Sequence, residues 1–262
     1  DDFSLTGVMG PLENLSSKKG EGKVALTGKL NNKSPMTIGG NILLDRDLEF
    51  TEDMKNIGYR GKVSLNSLGI EDLSPFLKEV PYTIEGVAKL DSDLSYTKGN
   101  FSSQNSLSVD NLAIYSNEST DEFSTKKVTS SFFIQIKDKK YNITKAKFNL
   151  EDFKGVFGKD RYSSISGSNI SLILNRLNKD EFVADELTVS KPILVIDKKT
   201  KSIEKIQKPE KTKMKIDIKK LDILEGDFNL LTKNSSYPIQ KILLKLNNFS
   251  TSKNKKTDIS LD

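Results

Sequence analysis

The chain has 262 residues, no histidine, cysteine or tryptophan, and a net charge of +5 from 41 basic and 36 acidic residues. That composition excludes a Ser-His-Asp triad, an imidazole base, a thiol nucleophile, a zinc–thiolate site and any disulfide. The small positive excess is no nucleic-acid footprint, and a hydrophobic share of 35% suits a sheet that is greasy on one side only.

Strand patterns fill the chain from its start. Phe3 to Val8 is short. Lys23 to Leu30 sets Val24, Leu26, Gly28 and Leu30 on one face. Asn41 to Asp45 follows after a Gly39-Gly40 turn signal, and Tyr59 to Ser67 alternates through Val63 and Leu65. Ser74 is a good N-cap and Pro75 suits a first helical position, so Ser74 to Pro81 predicts one short helix.

Tyr82 to Tyr96 is the clearest run. Ile84, Ala88, Leu90 and Leu94 share one phase, and Glu85, Lys89, Asp91 and Asp93 the other. A strand sends successive side chains to opposite faces, so one face is greasy and one wet. Further strands are expected at Leu107 to Tyr115, Ser131 to Lys137, Tyr141 to Leu150, Ser166 to Leu177 and Phe182 to Val189. The last group is Ile193 to Asp197, Met214 to Leu224, Gly226 to Leu231 and Ile239 to Phe249, with Ile242, Leu244 and Leu246 in phase. Turn chemistry marks Asn31-Asn32-Lys33, Lys98-Gly99-Asn100 and Glu225-Gly226.

A second helical turn is expected at Glu151 to Phe157, because Leu150-Glu151-Asp152-Phe153 echoes Ile70-Glu71-Asp72-Leu73. Lys198 to Lys215 reads as a solvated connector, the sharper alternative being an anionic-headgroup contact.

Little here carries chemistry. Asp45 with Asp47, and Asp91 with Asp93, have the spacing that holds a divalent ion. Asp91 and Asp93 lie on the polar phase of the best strand, where a solvated face explains them. Gly58-Tyr59-Arg60-Gly61 lacks the Lys-Ser/Thr of a phosphate loop. No metal and no cofactor are expected. The greasy face is the remaining candidate. Alternation alone fits a two-sheet sandwich, an open groove or a membrane barrel, with the missing tryptophan girdle against the barrel. No apolar run approaches the ~20 residues of a membrane-spanning helix. The chain starts without Met and stops in the strand-like Thr257 to Asp262, so it is expected to be part of a longer protein.

The order of segments resembles AsmA-like envelope proteins. The likeness begins at Gly22-Lys23-Val24-Ala25-Leu26-Thr27-Gly28 and Ser34-Pro35. It continues through Gly61-Lys62-Val63-Ser64-Leu65 into Leu68-Gly69-Ile70-Glu71-Asp72-Leu73-Ser74-Pro75-Phe76-Leu77, then Ile84-Glu85-Gly86-Val87-Ala88-Lys89-Leu90. Leu187 to Asp197 looks like the family's strand-Pro-strand unit, and Ile218 to Phe228 resembles its strand-Gly-strand hairpin. Thr232-Lys233 stands where many relatives have an Asp.

The resemblance implies a TamB-like repeating β-groove, similar to bridge-type lipid transfer proteins and without catalytic residues. The expected fold is mainly β: an elongated, twisted antiparallel sheet curled into an open groove, with one or two short helices. Residues 1–262 would form one continuous segment, with repeat units near 20–190 and 191–262. The resemblance also implies a periplasmic site, tethered to the inner membrane by a helix outside this segment. Its partners would be phospholipid acyl chains, the two membranes and outer-membrane assembly proteins. The expected groove lining is Val24, Leu26, Val63, Leu65, Ile84, Ala88, Leu90, Leu94, Ile242, Leu244 and Leu246. A β-rich module that takes a partner's strand is the alternative. An envelope hydrolase using Asp91 and Asp93 is a distant third.

Overall fold

The computed structural model describes residues 5–14, 19–30, 33–44, 57–72, 81–157, 163–197, 214–232, 235–251 and 257–261. The fold is mainly β. One 15-stranded sheet holds β1 (Leu5–Met9), β2 (Leu12–Glu13), β3 (Gly20–Leu30), β4 (Ser34–Leu44) and β5 (Ile57–Gly69). It continues through β6 (Tyr82–Thr97), β7 (Asn100–Ser116), β8 (Glu122–Lys137), β9 (Lys140–Phe157) and β10 (Ser163–Leu177). β11 (Glu181–Ser190), β12 (Ile193–Asp197), β13 (Lys215–Leu231), β14 (Ser236–Ser250) and β15 (Asp258–Leu261) complete it.

Strands follow one another as antiparallel neighbours from β3 to β11. Each next strand is the nearest available partner, and short turns suffice to return the chain. Lys98-Gly99 and Asp138-Lys139 are such turns; both residues of each have positive φ, the two-residue geometry that matches strand twist. One step differs. β11 and β12 form a broken strand around Lys191-Pro192, and both pair in parallel with β13. The sheet is therefore mixed, and it passes residue 190 without a break.

Several expectations need correction. Gly39-Gly40 is no turn and Asn41 starts no strand, because both lie inside β4. Glu151 to Phe157 is strand, not helix. Glu225-Gly226 lies inside β13 rather than at a hairpin. Among the described residues no α-helix occurs, and only Ile70 to Asp72 make a short 3-10 turn. The expected helix over Ser74 to Pro81, the Asp45 and Asp47 pair and most of the lysine-rich connector lie outside the described residues.

The corrections at Glu151 to Phe157 and at Glu225-Gly226 share one cause. At Leu65–Leu68, Val109–Leu112, Ile143–Ala146, Leu150–Phe153, Ile239–Ile242 and Leu246–Phe249, two apolar residues of one face stand three apart instead of two. An unrelieved three-residue step would flip the second residue to the wrong face. The residue just before each second member has positive φ: Ser67, Asn111, Lys145, Asp152, Lys241 and Asn248. Each is a bulge that absorbs the extra residue and restores the phase. Glu225 does the same before Gly226.

The bulges line up across strands. Asn111 on β7 and Asp152 on β9 flank Lys126 on β8, whose ammonium lies 3.9 Å from Asp152. Lys191 and Glu225, both with positive φ, pair at 3.8 Å farther along the same line. A second line holds Lys145, Asn175, Asp185, Lys219 and Asn248, of which Lys145 and Asn248 have positive φ, with Asp185 and Lys219 paired at 2.6 Å. Where neighbouring strands bulge at matching places, as β7 with β8 and β9 with β10, the register passes without a shift, whereas β5 with β6 and β8 with β9 shift at an unmatched bulge.

The conformation itself can be tested at Asp152. A left-handed backbone costs an L-residue about 1–2 kcal/mol, and β-branched residues suffer most. Asp152→Gly is expected to hold or raise the urea midpoint, whereas Asp152→Val should lose about 1–2 kcal/mol.

Candidate functional site

The lateral registers place apolar side chains in rows that cross the strands. One row runs Met36, Leu65, Leu90, Leu107, Ser130, Phe148, Leu172, Leu187, Leu221, Leu246, Ile259. The next runs Leu68, Ala88, Val109, Val128, Leu150, Ile170, Val189, Ile223, Leu244, Leu261. At about 4.8 Å per strand step, each row is on the order of 50 Å long along the sheet. Phe132 and Phe148 stack with ring centroids 6.5 Å apart.

Other rows widen this face. Val24, Gly40, Gly61, Leu94, Ser103, Ile134, Ile143, Leu177, Phe182 and Ile216 form one. Tyr59, Tyr96, Phe101, Ile136 and Tyr141 form an aromatic-rich row beside it. At the opposite ends of the strands run Ile84, Ile114, Phe123, Gly155, Ile165, Leu194, Phe228 and Ile239.

All described strands belong to one hydrogen-bonded sheet, and the burial of its apolar face tells how far that face is covered. Leu65, Leu90, Leu107, Phe148, Leu172, Leu187, Leu221 and Leu246 are all half-buried, although they sit mid-sheet. The middle of a two-sheet sandwich buries such positions fully. Besides Val24 and Phe153, the deeply buried apolar side chains among the described residues form two clusters of in-sheet neighbours. One holds Ala146, Leu174, Ala184 and Ile218, and the other Leu68, Ala88 and Val109.

The eleven residues expected to line a groove all fall on this face. Val24 and Ala88 are buried there, and Leu26, Val63, Leu65, Ile84, Leu90, Leu94, Ile242, Leu244 and Leu246 are half-buried. Sequence reasoning missed Leu172, Leu187 and Leu221, which prolong the same row, and the polar members Ser92, Ser103, Asn105 and Ser130. The signal for the first three was present in the alternation of β10, β11 and β13. It was obscured by the three-residue steps.

The opposite face carries the charge. Lys62 pairs with Asp93 at 3.5 Å and Ser64 donates to Asp91 at 2.7 Å. Asp91 and Asp93 are half-exposed or more, so water and lysines account for them. Farther along, Lys220 bridges Glu186 and Asp222, each at 2.9 Å, and these bonds raise its pKa. The Lys219 ammonium hydrogen-bonded to Asp185 holds that carboxyl below its ordinary value. Among the described residues no group of three or more Asp or Glu side chains could hold a metal ion. No described helix is long and apolar enough to cross a membrane.

No family model matches the chain, and no curated protein or solved structure matches it.

Proposed function

We propose that the apolar face is the floor of a trough that carries phospholipid acyl chains between the inner and outer membranes, in the manner the AsmA-like resemblance implies. The observation that carries this reading is the pair of long, largely apolar rows on a face that stays half-buried in mid-sheet. Their ~50 Å length exceeds the ~30 Å hydrocarbon core of a bilayer. A row of side chains at right angles to the strands offers an acyl chain a continuous contact. Each methylene moved from water onto it gains about 0.8 kcal/mol, close to what the bilayer provides. A lipid therefore crosses without a nucleotide-driven step in this segment. The two bulge lines support the curl of the sheet into a trough, because bulges bend strands and strengthen twist.

Leu90 and Lys89 test this directly. Leu90→Asp is expected to cut crosslinking to a photoactivatable phosphatidylethanolamine at least tenfold while the protein still melts cooperatively. Lys89, 59% exposed on the other face, is expected to tolerate Asp with no change in crosslinking and within about 0.5 kcal/mol in stability. If wild-type protein captures no lipid and Leu90→Asp unfolds it, the trough reading fails.

One observation favours a second reading. β15 is an edge strand, and Ile259 and Leu261 end the two long rows at 69% and 68% exposure. Such an edge suits strand addition by a partner, as in outer-membrane protein assembly. Native mass spectrometry separates the two readings. Copurified phospholipid supports the trough, and a lipid-free chain that binds an extended peptide supports the edge.

A further inference from the structure

The wet face has a hollow of its own. It opens between β9 and β10, reaches β11 and encloses about 560 Å³. Thr144, Lys145, Lys147, Asn175, Arg176 and Asn178 line it, and Asp185 closes one side. The second bulge line makes this hollow. Ala146 pairs with Leu174 and Thr144 with Arg176, and Lys145 and Asn175 lie between those pairs without a place in the ladder. Thr144 with Lys145, and Asn175 with Arg176, therefore stand together on the wet face. An unbroken strand would send one of each pair to the apolar side.

The charges around the hollow do not balance. Its own acid is taken: Asp185 lies 2.6 Å from the Lys219 ammonium. On the flanking strand, Glu181 meets Arg176 at 3.1 Å and Lys215 at 3.8 Å, and Glu186 meets Lys220 at 2.9 Å. Lys145 and Lys147 are exposed. No ion pair among the described residues engages either of them. Two unmatched ammonium groups suit the charge of about −2 on a phosphate ester near neutral pH. Arg176, 51% exposed and bound to Glu181 through one nitrogen, has further donors to offer.

The amides complete the site. Asn178 Oδ1 accepts from the backbone N–H groups of Asp180 and Glu181 at 2.9 and 3.0 Å, so its Nδ2 is left to donate. Asn175 Nδ2 donates to Asp185 at 3.4 Å, so its Oδ1 is left to accept. A donor and an acceptor side by side recognise a hydroxyl group. The hollow is also several times larger than a phosphate ion.

We propose that this hollow binds a small phosphate ester with a hydroxylated body, a polyol phosphate. Lys145 and Lys147 hold the phosphoryl oxygens, and Asn175 and Asn178 meet the hydroxyl groups. The site lies on the face opposite the apolar rows and does not depend on the trough.

The test is calorimetric titration of the full chain at low salt, where exposed charges are least screened. Glycerol phosphate is expected to bind saturably at one site, with inorganic phosphate about threefold weaker for want of hydroxyl contacts. Lys145→Gln with Lys147→Gln should weaken glycerol phosphate about tenfold or more while circular dichroism stays unchanged. Lys179→Gln, on the β10–β11 turn outside the hollow, should change it less than about twofold. Absence of saturable binding overturns the site. So does an equal loss in Lys179→Gln, which would mean diffuse surface charge. Inorganic phosphate binding as tightly as the ester overturns the polyol assignment. Binding of phosphatidylglycerol vesicles without binding of the soluble ester would make the hollow a membrane contact and overturn the proposal.

Discussion

Leu174→Asp is expected to leave no folded protein, and Leu174→Ala to lower the unfolding free energy by about 3–4 kcal/mol. Leu174 is 1% exposed at the centre of the larger cluster, between Ala146 and Ala184. Those small neighbours leave room for the leucine, and larger side chains such as Phe132, Phe148 and Phe182 pack against the cluster. Removing it leaves a cavity that neither alanine can fill, and a carboxylate there has neither water nor a cation. Leu172, two residues away on the same face, is only half-buried. Leu172→Ala should cost about 1–2 kcal/mol, and urea titration of the pair reads the difference. Equal losses at both sites would mean that the face is covered and that the trough is wrong.

Gly61→Val is expected to be nearly as damaging, for a backbone reason. Gly40 and Gly61 face each other across β4 and β5. A Cβ added at Gly61 would meet the Gly39 carbonyl oxygen at clashing distance, with Gly40 Cα at 2.6 Å and Tyr59 Oη at 2.5 Å. The first two are main-chain atoms that cannot swing aside. Tyr59 also donates to the Gly39 carbonyl at 3.1 Å, closing the space from above. The two strands must part, at a cost of roughly 3 kcal/mol or more. Gly39→Ala makes a good control, because its nearest contact is an ordinary 4.0 Å. Thermal melting of both variants checks the expectation: a Gly61→Val protein as stable as Gly39→Ala would rule out the close approach.

The fold class was legible because a period of two needs only one strand to be seen. Val24 and Leu26, or Ile84, Ala88 and Leu90, declare their face without reference to a partner. The bulges were not legible in the same way. Leu150-Glu151-Asp152-Phe153 has the spacing of a helical turn, and only the matching bulges of the flanking strands make it extended. Gly39-Gly40 and Glu225-Gly226 carry turn chemistry, yet each serves a strand interior, one by letting backbones approach and one by relieving a bulge. The parallel pairing of β11 and β12 with β13 was hidden for another reason: it joins residues far apart in the chain, and no local pattern encodes which way a strand returns. The burial of Ser92, Asn105 and Ser130 depends on lateral register. Within β6 alone, Ser92 is one small residue in an otherwise apolar phase.

The two bulge lines have a mechanical consequence. Each bulge leaves its extra residue out of the ladder, so hydrogen bonding is weakest along those lines. The lines cross the strands in the same direction as the apolar rows. They act as creases: the sheet can flex about axes parallel to the rows, widening or narrowing its cross-section, while the ladder bonds between neighbouring strands resist stretching along the rows. The soft coordinate of this molecule is its width and the stiff one its length. On the trough reading proposed above, a sheet built this way would accept lipids of different girth, with one acyl chain or two, and still hold a fixed distance between its ends.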